Sequence, residues 1–152
     1  VHASLKRNLA WVLGRMPTEF VKLNQNWNAE PNAPGVSITL TGSNLLLTFR
    51  PNPFQFPEYR NIDWITLTFH GCARYRLGSV NDEAWYAGRC RFSDTAPEWG
   101  QFFDVTGDLK LEGLDDWVAI APICRETKHY LFYFRDKEFE CDALRWSKRN
   151  AA

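Results

Sequence analysis

Apolar residues recur along this chain with two periods, helical near the start and alternating over much of the remainder. Leu5, Leu9, Val12, Leu13 and Met16 follow helical spacing behind Ser4, which predicts an amphipathic helix over residues 4–16 that Pro17 ends. Thr18 can cap a second helix that carries Phe20, Leu23 and Trp27 on one face and Lys22, Gln25 and Asn26 on the other. From Asn28 to Gly35 the composition turns to Asn, Pro and Gly, a connection after which the period changes.

Val36, Ile38 and Leu40 alternate with Ser37, Thr39 and Thr41, and beyond Gly42-Ser43-Asn44 the set Leu45, Leu47 and Phe49 alternates in turn, which predicts a hairpin. Residues 64–78 read as one long strand with a bend or bulge at Gly71. Residues 84–92 are a weaker strand candidate, Gly107-Asp108 joins short strands at 103–105 and 109–111, and Trp117 to Ala121 reads as a buried strand stopped by Pro122. Lys128 to Trp146 predicts a hairpin with one apolar and one charged face. With Asp136-Lys137 as its turn, Phe134 faces Phe139, Phe132 faces Cys141 and Tyr130 faces Ala143, while Arg135 pairs with Glu138 and Tyr133 with Glu140. The expected fold class is α+β: two short N-terminal helices packed on a strongly curled, mainly antiparallel sheet of about 7–9 strands, a partial barrel or sandwich, ending in that hairpin. A single domain over residues 1–152 is expected.

With 45% hydrophobic and 15% aromatic residues the chain has far too much apolar material for a disordered segment. Its 18 basic and 18 acidic residues cancel, so no whole-molecule field attracts nucleic acid or anionic lipid, and self-association is left open. Cys72, Cys90, Cys124 and Cys141 contain no C-x-x-C pair and are expected to be reduced and mostly buried. The run Leu9 to Leu13 is too short for a secretory signal and no stretch is long enough for a membrane span, so a cytoplasmic location is expected.

Candidate chemistry is sparse. His70 and Cys72, two apart on one strand, could supply two zinc ligands with Cys90 from a neighbour, but a fourth ligand at a recognisable spacing is missing, and no metal site is expected. No phosphate-binding glycine pattern occurs, so no cofactor is expected. Glu138, Glu140 and Asp142, in register with Asp136, form an acidic strip that reads as a solvated outer face or, failing that, as a docking strip for a basic partner. Arg74, Arg76, Arg89 and Arg91 beside aromatic residues could stack single-stranded bases, yet no RNP-like segment is present and nucleic-acid binding is not expected; alternating on adjacent strands, they equally form an exposed basic stripe paired with carboxylates from the neighbour. The leading binding candidates are Phe54, Phe56 and Tyr59 on the proline-rich segment Pro51 to Tyr59, with Trp85 and Tyr86 as a second aromatic cluster. Three prolines forbid a central strand and stiffen what must be a loop, which either offers its aromatics to a partner or folds back as a plug.

The closing segment, with Phe134, Asp136, Phe139, Glu140 and Ala143, resembles the ends of small uncharacterised bacterial proteins, which implies no activity. The expected function is a non-enzymatic protein-binding module, such as a neutralising or regulatory partner, with no catalytic residues assigned. The alternative is a curled sheet enclosing a pocket of Trp64, Phe69, Tyr75, Phe132 and Phe134 for a small apolar ligand, with hydrolytic chemistry at His70.

Overall fold

A computed structural model describes residues 16–80 and 82–152. Ten strands fall within them: β1 (Glu19–Lys22), β2 (Ser37–Thr41), β3 (Asn44–Phe49), β4 (Trp64–His70), β5 (Arg74–Gly78), β6 (Phe102–Thr106), β7 (Val118–Ala119), β8 (Lys128–Phe134), β9 (Lys137–Ala143) and β10 (Arg145–Ala151). A one-turn 3-10 segment (Pro57–Tyr59) and a short helix, α1 (Asp82–Tyr86), complete the regular structure. The strands form a six-stranded sheet, β1-β6-β8-β9-β5-β7, and a four-stranded sheet, β10-β4-β3-β2, with every pairing antiparallel.

The two sheets face one another across an aromatic core. Leu45, Leu47 and Phe49 of β3 and Ile65, Leu67 and Phe69 of β4 present their alternate positions inward at 0% exposure. They meet Phe102, Phe132 and Phe139 of the larger sheet, with Phe49 5.2 Å from Phe132 and Phe69 5.3 Å from Phe139 between ring centroids. Trp27 packs at the margin of this core against Phe49, Phe102, Phe132 and Trp146. The outer face of the six-stranded sheet is covered as well: Phe103, Leu131 and Tyr133 pack beneath Trp85 of α1 and Phe92, with Phe20 and Trp99 beside them. The result is three layers, the third being largely irregular chain.

The α+β expectation is overturned. The second predicted helix is instead strand β1, which pairs with β6 from Glu19↔Thr106 to Lys22↔Phe103, and the chain then turns at Asn24. That side chain, 2% exposed, donates to the Trp27 carbonyl and Gln101 and accepts from the Phe102 amide. Cross-strand pairing and this buried lock override a weak helical period. The first predicted helix, over residues 4–16, lies outside the described residues apart from Met16. Two antiparallel sheets replace the single curled sheet, and they do not close into a barrel.

The long strand expected over 64–78 is two strands in different sheets, because Gly71 (φ 61°) turns the chain from β4 into the crossing that leads to β5. Residues 84–92 supply α1 and turns rather than a strand, residues 109–111 are not a strand, and β7 is a two-residue exposed edge. The terminal hairpin turns at Arg135-Asp136, two residues of register away from expectation: Phe134 faces Lys137, Phe132 faces Phe139 and Tyr130 faces Cys141. The pleat keeps each residue on its expected face, since a shift of two preserves the alternation. Asp136 takes φ 61°, a conformation that Asp tolerates better than most residues.

An added methyl group separates backbone strain from crowding at two turns. At Gly42 (φ 61°) it would meet no atom within 4 Å, whereas at Gly71 it would lie 2.7 Å from Leu144 Cδ1. Gly42→Ala should therefore cost about 1–2 kcal/mol from the left-handed conformation alone, and Gly71→Ala measurably more, with both read from urea midpoints.

Candidate functional site

The segment Pro51 to Tyr59 is a loop, and it is tied down by its own chemistry. The Asn52 side-chain oxygen accepts from the amides of Phe54 (3.1 Å) and Gln55 (3.2 Å), a turn in which the side chain replaces a backbone partner. The Asn52 amide donates to the Asn28 carbonyl, Glu30 donates to the Arg50 carbonyl, and Ala29 bridges Pro51, which staples the loop to residues 28–30. Asn28 Nδ2 adds a side-chain bond to Gln55 at 3.0 Å.

This frame separates the predicted binding aromatics. Phe54 stands 76% exposed at the tip, Phe56 packs partly against the inter-sheet core, and Tyr59 belongs to that core at 8% exposure. The loop is thus both an exposed tip and a plug. In the second cluster Trp85 is buried against Tyr133 and Trp99 while its neighbour Tyr86 is 80% exposed. Two depressions flank the loop. A cleft of about 470 Å³ lies between residues 28–32, Asn52, Gln55, Trp99 and Gln101, and an open groove of about 530 Å³ runs beside Pro53, Phe54, Ile62 and Trp64.

The acidic strip lies elsewhere and is not a surface. Glu138, Glu140 and Asp142 are 1%, 0% and 5% exposed, so the expected solvated face is interior. Their partners stand across the strands. Arg76, opposite Glu140, donates through Nη1 to Glu138 (2.9 Å) and Glu140 (2.7 Å) and through Nε and Nη2 to Asp116. Arg74, opposite Asp142, donates to it at 2.6 Å and lies over the Trp117 ring. Arg91, reaching in from the third layer, donates to both Glu140 oxygens and to the Leu109 and Lys110 carbonyls. His129, 3% exposed, is bonded at both ring nitrogens, Nδ1 with Asp142 (2.9 Å) and Nε2 with Glu140 (2.8 Å).

The titrations follow from this arrangement. Burial alone would lower the His129 pKa, but its bonds to Asp142 and Glu140 outweigh burial and raise it, so the ring is held as an imidazolium. Burial opposes ionisation of Glu140 too, yet His129 and Arg91 hold its carboxyl far below the usual range. Burial and the neighbouring Glu140 charge push Glu138 up to about 8. A histidine charged and bonded at both nitrogens has no lone pair for a metal or for general-base work.

The remaining candidates do not converge. His70 Nε2 bonds Ser147 at 2.8 Å on the outer side of the four-stranded sheet, while Cys72 is buried beyond the Gly71 turn, so the spacing that suggested a shared metal does not bring them together. Among the described residues no group of three or more His, Cys, Asp or Glu side chains is placed to hold a metal ion, and no helix is long and apolar enough to cross a membrane. Cys72 and Cys141 are buried, Cys90 is half-buried and Cys124 is exposed. Searches of protein-family models, curated proteins and solved structures find no match to this chain.

The sequence gives no sign of His129 as a partner of the strip, and the pairing of Arg74, Arg76 and Arg91 with neighbouring carboxylates, expected as an exposed stripe, is buried instead. The available signal was stoichiometric: charges alternating on adjacent strands in both signs are what a buried ladder requires. It was indistinguishable from a solvated face without knowing what lies above it.

Removing one member of this ladder leaves a buried charge unpaired, so Arg76→Leu should destabilise the fold by about 3–5 kcal/mol in urea unfolding. The pH dependence carries a defined sign. Glu138 binds its proton more tightly folded (about 8) than its ordinary value of 4.5, and its contribution is complete below 4.5 and lost as pH rises through 8. His129, raised above 6.5, loses its contribution in the same direction. Stability should therefore fall from pH 5 to pH 9, and Glu138→Gln, which needs no proton, should flatten that fall in urea midpoints taken across the range.

Proposed function

We propose that the protein is a non-enzymatic module that recognises a partner protein through the Pro51 to Tyr59 loop, with Phe54 as the anchor. The observation that supports this reading is the exposure of Phe54, at 76%, on a loop whose backbone is held by Asn28, Asn52 and the Ala29 bridge. A large apolar ring displayed on a fixed backbone binds without first paying the ordering cost of a mobile loop. The groove of about 530 Å³ beside it offers Pro53, Ile62 and the Trp64 ring, the last lying under the Arg50 guanidinium at 4.6 Å. Arg50, Arg60 and Asp63 at this margin suit a segment that brings an apolar residue flanked by charges of both signs.

Groups that would serve catalysis are engaged within the molecule, His129 by two carboxylates and His70 by Ser147. Of the lining expected for a small apolar ligand, Phe69, Phe132 and Phe134 are at most 1% exposed, with Phe132 and Phe134 stacked at 4.1 Å, and Trp64 and Tyr75 are half-buried.

Phe54→Ser should change stability by no more than about 0.5 kcal/mol, as surface substitutions do, while Tyr59→Ser, a core truncation, should cost about 3 kcal/mol or more. Chemical unfolding of both variants checks the contrast. A partner captured by the wild-type protein should be lost with Phe54→Ser and retained with Tyr86→Ser; equal capture by all three would overturn the assignment of the anchor.

A further inference from the structure

We propose that the outer face of the four-stranded sheet is a docking surface for single-stranded nucleic acid, held through Arg50, Arg145 and Arg149. The proposal does not rest on Phe54 or on a partner protein.

Strand register assembles this face. Pairing sets Arg145 beside His70, Ser147 beside Thr68 and Leu46, and Arg149 beside Thr66 and Thr48. Alternation turns these side chains away from the core, because their neighbours Ile65, Leu67 and Phe69 point into it at 0% exposure. None of the four strands contains Asp or Glu. Arg50, Arg145 and Arg149 are exposed, and none of them forms an ion pair among the described residues. The zero net charge thus hides a segregation. On the larger sheet Arg74, Arg76 and Arg91 are matched by carboxylates, whereas the cations of the smaller sheet stand unmatched and attract a polyanion.

Three features select the kind of polyanion. Arg145, Ser147 and Arg149 occupy alternate positions of an extended edge strand, about 7 Å from one to the next, a repeat that a stretched phosphodiester chain can match phosphate by phosphate. The hydroxyls of Ser37, Thr39 and Thr68 on the same face can donate to phosphate or sugar oxygens without adding charge. At one end the Arg50 guanidinium lies over the Trp64 ring at 4.6 Å, a planar pair beside which an unstacked base can lie. A duplex keeps its bases stacked on one another and would leave that pair unused. A membrane surface requires exposed apolar side chains, and this face has half-buried Leu46 and Trp64 in their place.

The probes are fluorescein-labelled oligothymidylate and oligouridylate of about twelve residues, titrated with the protein and read by anisotropy at several salt concentrations. The expected result is saturable binding whose logarithm falls against the logarithm of salt with a slope of about −2, from three phosphate contacts at roughly 0.7 each. Arg145→Gln/Arg149→Gln should weaken binding tenfold or more at about 50 mM salt and bring the slope to about −0.7. Trp64→Leu should weaken binding with the slope unchanged, and Arg125→Gln, an exposed arginine outside this sheet, should alter neither quantity. The replaced arginines are exposed, so urea midpoints should match the wild type, and the single variants Arg145→Gln and Arg149→Gln give the same test in smaller steps. Absence of saturable binding by both oligonucleotides, an equal loss in Arg125→Gln, or binding of heparin or phosphatidylserine vesicles but of neither oligonucleotide would each overturn the assignment. The last outcome would give the face to a sulfated glycan or to an anionic membrane.

Discussion

The structure depends on the burial of the β8–β9 hairpin on both faces. Its inner side packs Phe132 and Phe139 into the inter-sheet core, and its outer side lies beneath the third layer, so the charges there cannot use water. An unpaired ion in that setting would cost several kcal/mol, which leaves local neutralisation as the stable solution. Arg74, Arg76, Arg91 and a charged His129 stand against Asp116, Glu138, Glu140 and Asp142, with Glu138 the member whose proton adjusts the balance. The ladder also fixes register. A slip of one residue would drive carboxylates into the aromatic core, and a slip of two would preserve the faces while separating Arg76 from Glu140 and His129 from Asp142.

This requirement reaches into the rest of the fold. Arg74 and Arg76 can enter the six-stranded sheet because the chain leaves β4 at Gly71 and crosses to β5. Arg91 pins the third layer to the sheet through Glu140 and the Leu109 and Lys110 carbonyls, and the Tyr133 hydroxyl donates to the Arg91 carbonyl from below. A covering segment with little regular structure thereby acquires fixed attachment points. Arg74, Arg76 and Arg91, three of the four arginines weighed above as a surface for nucleic acid, are occupied in the same way.

What could be read from the residues was what strict alternation encodes. The β2–β3 hairpin and its turn, the faces of β4 and the two faces of the terminal hairpin follow from side chains that alternate in polarity. Where the sequence is ambiguous, tertiary context decided. Phe20, Leu23 and Trp27 satisfy a helical period, yet β6 offered β1 a partner and Asn24 a turn. β10 passed unnoticed because, of its residues, only Trp146 packs as an apolar side chain, while Lys148 lies over the Trp27 and Tyr59 rings. The acidic strip was legible as a pattern but not as an interior, since the chain that covers this side of the sheet, at Trp85, Phe92, Trp99 and Leu109, reads in part as strands at 84–92 and 109–111 and folds instead as a short helix and turns.

The same division separates the committed parts of the chain from those with unused bonding capacity. The sheets are committed: their facing sides are filled with rings, and the charged side of the larger one neutralises itself. Polar capacity left over is found on connections, at the carboxamides of residues 28–55, which the fold immobilises through Asn24, Asn52 and the Ala29 bridge. A connection held this firmly acquires the precision of a strand while keeping side chains that a strand in this fold would have to bury. The proline-rich loop thus keeps Phe54 outward at its tip while its base, at Tyr59, is built into the core.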